Sequence, residues 1–182
     1  MENNKAWCHF VTITEHKWLV MQNCFRVGLY KQGLLHDLSK YSPVEFMTGV
    51  HYYQGTRSPN AAERDDKGYS DAWLHHKGRN KHHFEYWIDF SKACHGLTGV
   101  KMPVNYLVEM VMDRIAACRV YRGKDYTGGA AWEYYQHEEP YLTGVMHAET
   151  KAQLEKILVM LRDQGERVTF SYLRKLLRRG NY

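Results

Sequence analysis

Apolar residues recur every third and fourth position along this chain, and nowhere do they alternate long enough to pair a sheet. The clearest run, Val104, Leu107, Val108, Val111, Ile115 and Cys118, opens after Met102-Pro103 and ends near Gly123. That period is one face of an α-helix. The same spacing predicts a first helix over about 13–30, through Ile13, Val20, Cys24 and Val27, with His16 on or beside its buried stripe. Ser42-Pro43-Val44-Glu45 has the composition of a helix start: Ser42 as cap, Pro43 in the first turn, Glu45 closing a capping box. A further helix is expected from Ser70 or Asp71 through His76, interrupted at Gly78 and Asn80, with Asn80 capping a continuation through His83 and Trp87 to Phe90. Two more are expected over 149–161 and 168–177. The polar stretch 54–70 reads as a loop and a lid over a site. The fold class is all-α: one domain over 1–182, with C-terminal helices over about 148–179.

With 182 residues, 44% hydrophobic and 14% aromatic, the chain has enough apolar surface for a folded core, which excludes a disordered class. No run of 18 apolar residues is present, so no membrane span is expected. No signal peptide is legible, and Cys8, Cys24, Cys94 and Cys118 form no CxxC pair, which fits reduced thiols in a cytoplasmic protein. A net charge of +5 suits an anionic substrate but is too weak to announce nucleic-acid binding. Arg174, Lys175, Arg178 and Arg179 form a basic helix end, which ordinarily complements the helix dipole.

Histidine is the unusual residue. There are eleven, and His75, His76, His82 and His83 stand close together. A lone histidine at a helix edge is ordinarily a hydrogen-bonded core residue, and Asp113 inside an apolar helix is ordinarily half of an ion pair. Co-occurrence shifts that reading, because metal centres in helical proteins are built from imidazoles and carboxylates projecting inward from facing helices. The adjacent pair His36-Asp37 adds a constraint. Neighbours on a helix point about 100° apart, so both reach one centre only if the backbone turns there or several ions are held.

The order His16, His36-Asp37, Asp113 resembles the H…HD…D pattern of the HD-domain superfamily of metal-dependent phosphohydrolases. LLHDLSK (34–40) is similar to that family's central segment, and HHFE (82–85) to the extra histidine motif of its binuclear members. EHKW (15–18), HDLSKYSPVEF (36–46), HHKGRNKHHFEYW (75–87) and the segment 102–113 look like an HD-like branch of bacteria and phages. The resemblance spans about 13–122.

It implies an HD-like helical bundle in which His16, His36, Asp37 and Asp113 bind metal. One histidine from each doublet would serve a second ion. Spacing does not choose within the doublets; His76 and His83 are favoured because they share a face if the helix continues across Gly78. His75 and His82 would then ligate in their place or stand behind them facing substrate. The cofactor implied is one or two divalent ions of Mn, Fe, Co, Ni or Zn.

The activity implied is hydrolysis of a small phosphorylated molecule, such as a nucleotide. Asp37 would bridge the metal and steer water, Lys40 would be the first cation beside it, and Lys77, Arg79 and Arg119 would bind substrate phosphate. Two other readings stand beside it: an HD-type di-iron oxygenase acting on a small organic substrate, and a non-catalytic, metal-stabilised binding module. A homodimer is also among the expectations.

Overall fold

A computed structural model describes residues 2–142 and 144–182. Among these, eight α-helices carry the architecture: α1 (Glu2–Val27), α2 (Tyr30–Leu35), α3 (Pro43–His51), α4 (Pro59–Lys67), α5 (Asp71–Lys77), α6 (Val104–Arg122), α7 (Ala130–Leu142) and α8 (Ala148–Arg179). One antiparallel hairpin, β1 (Ile88–Ser91) and β2 (Gly96–Gly99), pairs Ile88 with Gly99 and Ser91 with Gly96. The chain is an all-α bundle with this single hairpin as ornament. None of the described helices is long and apolar enough to cross a membrane.

α6 is the central helix. Leu107, Val108, Val111, Met112, Ile115 and Ala116 are all fully buried, so it is apolar around most of its circumference and packs on α1, α7 and α8. α1 contributes Val20, Cys24 and Val27 to the same core, and α8 contributes Leu154, Ile157, Leu158 and Leu161. Two polar residues interrupt the apolar surface of α6, Glu109 and Asp113, one helical turn apart. Asp113 meets His16 of α1, and Glu109 meets His36 and His82, which starts the functional site.

Several expectations need correction. α1 begins near the start of the chain rather than at 13. The stretch 54–70 is not a loop: Pro59 opens α4 there, and Gly68 ends it in a left-handed conformation. No helix continues through 80–90. α5 stops at Lys77, where the His76 carbonyl accepts the amides of Arg79 and Asn80 and also the Asn80 side chain. A 3₁₀ turn (Phe84–Trp87) and β1 follow. Residues 124–147, which no periodicity assigned, contain α7. The two C-terminal helices are present as the arms of α8, which breaks at Gly165, φ 72° and ψ 176°.

Candidate metal centre

His36 and Asp37 lie between α2 and a 3₁₀ turn (Leu38–Tyr41). Asp37 has φ 54° and ψ 27°, a left-handed conformation that Asp tolerates better than most side chains. This reversal turns two sequence neighbours toward the same interior point. Lys17 on α1 secures it from outside, its Nζ donating to the carbonyl oxygens of Leu34 and His36 at 2.8 Å each. α2 lies close against α1: a Cβ at Gly33 would stand 3.0 Å from Cys24 Cβ.

Around Asp37 the side chains fall into two groups that share it. One is His16, His36, Asp37 and Asp113; the other is Asp37, His76, His82 and His83, and within each the potential ligand atoms lie within 4.8 Å of one another. In the first group, Asp37 Oδ2 is 3.3 Å from His36 Nε2 and 3.7 Å from His16 Nε2, and His16 Nε2 is 2.9 Å from Asp113 Oδ1. In the second, Asp37 Oδ1 is 3.2 Å from His76 Nε2 and 3.3 Å from His82 Nε2. The His83 ring lies 4.8 Å from that of His76 and 4.1 Å from that of His82, centroid to centroid.

These atoms are buried, yet the Nε2 atoms of His36, His76, His82 and His83 and Asp37 Oδ1 have no hydrogen-bond partner, while Asp37 Oδ2 is ion-paired with Lys40 and His16 Nε2 meets Asp113. Buried polar atoms are nearly always paired, so five orphans on one point call for an absent bonding partner. Ligand atoms about 2.0–2.2 Å from an ion are at most ~4.4 Å apart, which these spacings approach. The donor set therefore fits metal, and buried His/Asp groups able to hold an ion are present.

The opposite nitrogens are held by carboxylates. Glu109 Oε1 lies 3.0 Å from His36 Nδ1 and 3.2 Å from His82 Nδ1. Glu45 takes His75 Nδ1 at 2.6 Å on one oxygen and His76 Nδ1 at 2.7 Å on the other. Each carboxylate fixes the tautomer in which Nδ1 carries the proton and Nε2 offers its lone pair, the arrangement found behind metal-binding imidazoles. His36, His82 and Glu109 are also close enough to hold an ion, but they meet at hydrogen-bond distance through Nδ1, so Glu109 orients rather than ligates.

Electrostatics follow from the crowding. Burial alone pushes the Asp37 carboxyl upward, but His36, Lys40 and His76 outweigh it and hold it well below the usual range. Asp113 is likewise depressed despite burial, by His16 and His36. Burial and the neighbouring His82 and His76 hold His83 well below an ordinary histidine. Lys40 Nζ is 2.6 Å from Asp37 Oδ2; burial works against its charge, and the Asp37 carboxylate more than restores it.

The structure thus brings together His16, His36, Asp37, His76, His83, Asp113 and Lys40, and it adds His82 to the inner ring. Of the doublet 75–76, His76 lies beside Asp37 while His75 reaches Glu45; of 82–83, both histidines lie within reach of Asp37. The chain turns at Gly78-Arg79-Asn80, so the doublets approach Asp37 from different sides and no helical register selects between His82 and His83. The second half of the capping box is absent: the Ser42 Oγ accepts the Glu45 amide at 3.5 Å, but the Glu45 carboxylate points inward to the histidines.

A cavity of about 520 Å³ opens over the centre. His16, Lys40, His76, His83 and Asp113 line its floor, and Thr56 to Ala61, leading into α4, form a wall where a lid was expected. Lys77, Arg79 and Arg119, expected to bind phosphate, are not on this cavity. Arg119 is ion-paired with Glu166 of α8, and Arg79 donates to the His75 carbonyl at 3.0 Å on the outer side of α5. The cavity cations besides Lys40 are Arg57, Arg114 and Arg122, none of them singled out by motif. Each has a carboxylate partner, Asp65, Glu138 and Glu133 respectively, and Arg114 Nε is buried without a hydrogen bond. Glu109 carried a hint in its position one turn from Asp113 on α6, whereas nothing on α3 points to Glu45, and the inward direction of both depends on helix packing.

A family model described as a family of unknown function (DUF5662) matches residues 5–160, a span that includes every residue of the centre. No curated protein and no solved structure matches the chain.

Proposed function

We propose that this chain, which belongs to the family of unknown function DUF5662, is a metal-dependent hydrolase of a small phosphoester with an HD-type centre. The observation that carries the reading is the convergence on Asp37 of four buried imidazole nitrogens without a hydrogen bond, those of His36, His76, His82 and His83, with the His16–Asp113 pair beside them. His16, His36, Asp37 and Asp113 would hold one ion, and His76, His82 and His83, with Asp37 shared, a second. Imidazole and carboxylate ligands suit Mn, Fe, Co, Ni or Zn. Such ions polarise a phosphoryl oxygen and make hydroxide available at neutral pH.

The chain's own residues supply the remaining requirements. Asp37, shared by both groups, sets their separation. Lys40, charged and on the cavity floor, offsets negative charge developing on a phosphoryl group beside Asp37. Glu109 and Glu45 hold the imidazoles in the ligating tautomer. The cavity volume lies within the range of about 300–1,000 Å³ that small-molecule sites occupy. Arg57, Arg114 and Arg122 replace Lys77, Arg79 and Arg119 as the side chains nearest a bound phosphate.

The di-iron oxygenase reading draws on the same residues, and His82 and His83 together would give a second ion as many candidate ligands as the first. Elemental mass spectrometry on untagged protein, prepared without chelator and paired with a phosphoester panel, separates the readings. One or two equivalents of Mn, Co, Ni or Zn with phosphate release is the expected result. Two irons with oxygen consumption would replace hydrolysis by oxygenation. Metal without turnover would leave a non-catalytic module, and no uptake after soaking would remove the metal centre altogether. Asp37→Asn, which keeps a residue tolerant of the left-handed turn, should abolish metal uptake and activity while far-UV circular dichroism stays helical. Full activity in this variant would overturn the assignment.

A further inference from the structure

Averaged over the chain a net charge of +5 is weak, but the fold does not spread it evenly. Residues 166–182 hold five basic residues and one acidic one, so they carry four of the five net charges. All five cations, Arg167, Arg174, Lys175, Arg178 and Arg179, are exposed on the second arm of α8. At about 100° per residue, Arg167, Arg174 and Arg178 fall within roughly 40° of one another, with Lys175 beside them. The stripe is roughly 16 Å long at 1.5 Å per residue.

Elsewhere the arginines are answered. Arg26, Arg57, Arg114, Arg119, Arg122 and Arg162 each meet a carboxylate. None of the five cations on this arm does so among the described residues. The arm's single acid, Glu166, is taken by Arg26 and Arg119. The helix dipole favours cations in the last turn, which accounts for Arg178 and Arg179. It does not reach Arg167, more than three turns earlier.

A groove between the two arms of α8 gives the stripe room for a ligand. It measures about 420 Å³, and Arg167, Arg174 and Lys175 line it together with Ser171 and Tyr172. Lys156 of the first arm stands over the Tyr172 ring, 5.1 Å from its centroid, and adds another cation. No described residue of α8 lines the cavity over the metal centre, so the two surfaces are separate.

Two kinds of anionic surface suit a basic helix, and the apolar residues of the arm choose between them. A helix that lies in a lipid interface inserts exposed apolar side chains beside its cations. Here Phe170, Leu173 and Leu176 are buried in the core, and no large apolar side chain of α8 is exposed. What the arm offers is charge, mostly as arginine, whose planar fork matches phosphate oxygens. Single strands are held largely by bases stacking on aromatic rings; Phe170 is buried and Tyr172 lies under Lys156.

We propose that the second arm of α8 binds the phosphate backbone of a nucleic-acid duplex without reading its sequence. A duplex carries one charge per about 1.7 Å of its axis, so the side facing the stripe supplies a phosphate for each of Arg167, Arg174, Lys175 and Arg178. Ser171 donates to a phosphate oxygen from within the groove. The inference is independent of what the metal centre catalyses.

Fluorescence anisotropy of a labelled duplex of arbitrary sequence, titrated with the full chain between about 50 and 200 mM salt, tests it. Four phosphate contacts give a log–log salt slope of about −3.6, so affinity should fall roughly 150-fold across that range. Arg167→Gln, Lys175→Gln and Arg178→Gln together should weaken binding at least tenfold and flatten the slope by about 2.7. All three side chains are exposed and make no ion pair, so circular dichroism and the melting transition should match the wild type. A charge-matched triple of exposed lysines elsewhere, Lys31→Gln, Lys92→Gln and Lys124→Gln, should leave the slope unchanged. Equal losses in the two triples would reduce the effect to net charge and overturn the stripe. No binding at the lowest salt overturns the proposal, as does tighter binding of the separated single strand. Co-sedimentation with phosphatidylserine vesicles in place of duplex binding would make the arm a membrane contact instead.

Discussion

Glu109 sends one carboxylate oxygen to the Nδ1 atoms of two histidines whose other nitrogens face Asp37. Replacing it by glutamine removes the charge that makes both imidazoles better donors. Partners of this kind are worth about 10–100-fold in metal affinity. Glu109→Gln should therefore weaken binding by that order without unfolding the helix, read by competition with a chromophoric chelator; unchanged affinity would reduce Glu109 to a packing residue. His9 sits at the cavity edge with a different chemistry. Its ring packs on Phe46 and Tyr53 and against Gly49, where a Cβ would collide with Nε2. Burial, helped by the charge of Lys40, pushes its pKa down to about 4. The unfolded chain, with an ordinary histidine pKa near 6.5, then holds more protons between those values. The contribution is fully present above pH 6.5 and is lost as pH falls toward 4. Denaturant titrations should show wild type losing about 2 kcal/mol more than His9→Gln over that interval, after discount for solvent screening. Parallel curves would show that His9 is protonated without penalty.

At the level of elements, turns matter more than helices. α8 changes direction at Gly165, whose φ of 72° with ψ 176° is a region essentially reserved for glycine. The break lets its first arm bring Leu154, Ile157, Leu158 and Leu161 to α6 while the second returns with Phe170, Leu173 and Leu176. Gly165→Ala should cost about 1–3 kcal/mol, lowering the melting temperature by several degrees in calorimetry. No change would mean the arms reach the core without that geometry. The turn after α5 has the comparable role in the centre. It is held by the Asn80 side chain, which donates to the His76 carbonyl and to Ser39 Oγ at 2.8 Å each, and by Trp87 Nε1 donating to the Lys81 carbonyl at 2.7 Å. These bonds present both His82 and His83, which no continuous helix would do. Helix positions were legible because burial imposes a 3.6-residue period on composition. α4 was hidden because it is short and polar. The hairpin was hidden because its pairing is only four residues long and carries no apolar alternation.

For the whole molecule, the centre is a tie between segments distant in the chain: α1 through His16, the turn after α2 through His36 and Asp37, α5 through His76, the loop at 82–83, and α6 through Asp113. Without metal this region gathers orphaned nitrogens and carboxylates in a buried space, and an ion that binds only the folded state stabilises it by mass action. Chelation should lower the melting temperature by several degrees, and re-addition of the native ion should restore it in a concentration-dependent way; at a hundredfold excess over Kd the gain is about 2.7 kcal/mol. A melting temperature indifferent to chelator and metal would show that the fold holds the cluster without an ion. Asp37→Asn should melt at the chelated temperature whether or not metal is added.

Local pattern was enough to establish that the chain is helical, with its cleanest apolar period along α6, and to set His16, His36, Asp37, Asp113 and the doublets 75–76 and 82–83 side by side. Each of those conclusions depends on periodicity or on the identity and order of residues, which a sequence displays directly. The remaining decisions needed the packed chain. His82 joined the ring because a turn, rather than a helix, follows α5. Glu45 left its capping role because two imidazoles lie within reach of it. Arg57, Arg114 and Arg122 displaced Lys77, Arg79 and Arg119 around the cavity because helix rotation, set by the core, chooses which long side chains face inward. Direction in space is a property of packing, and residues distant in the chain acquire it only together.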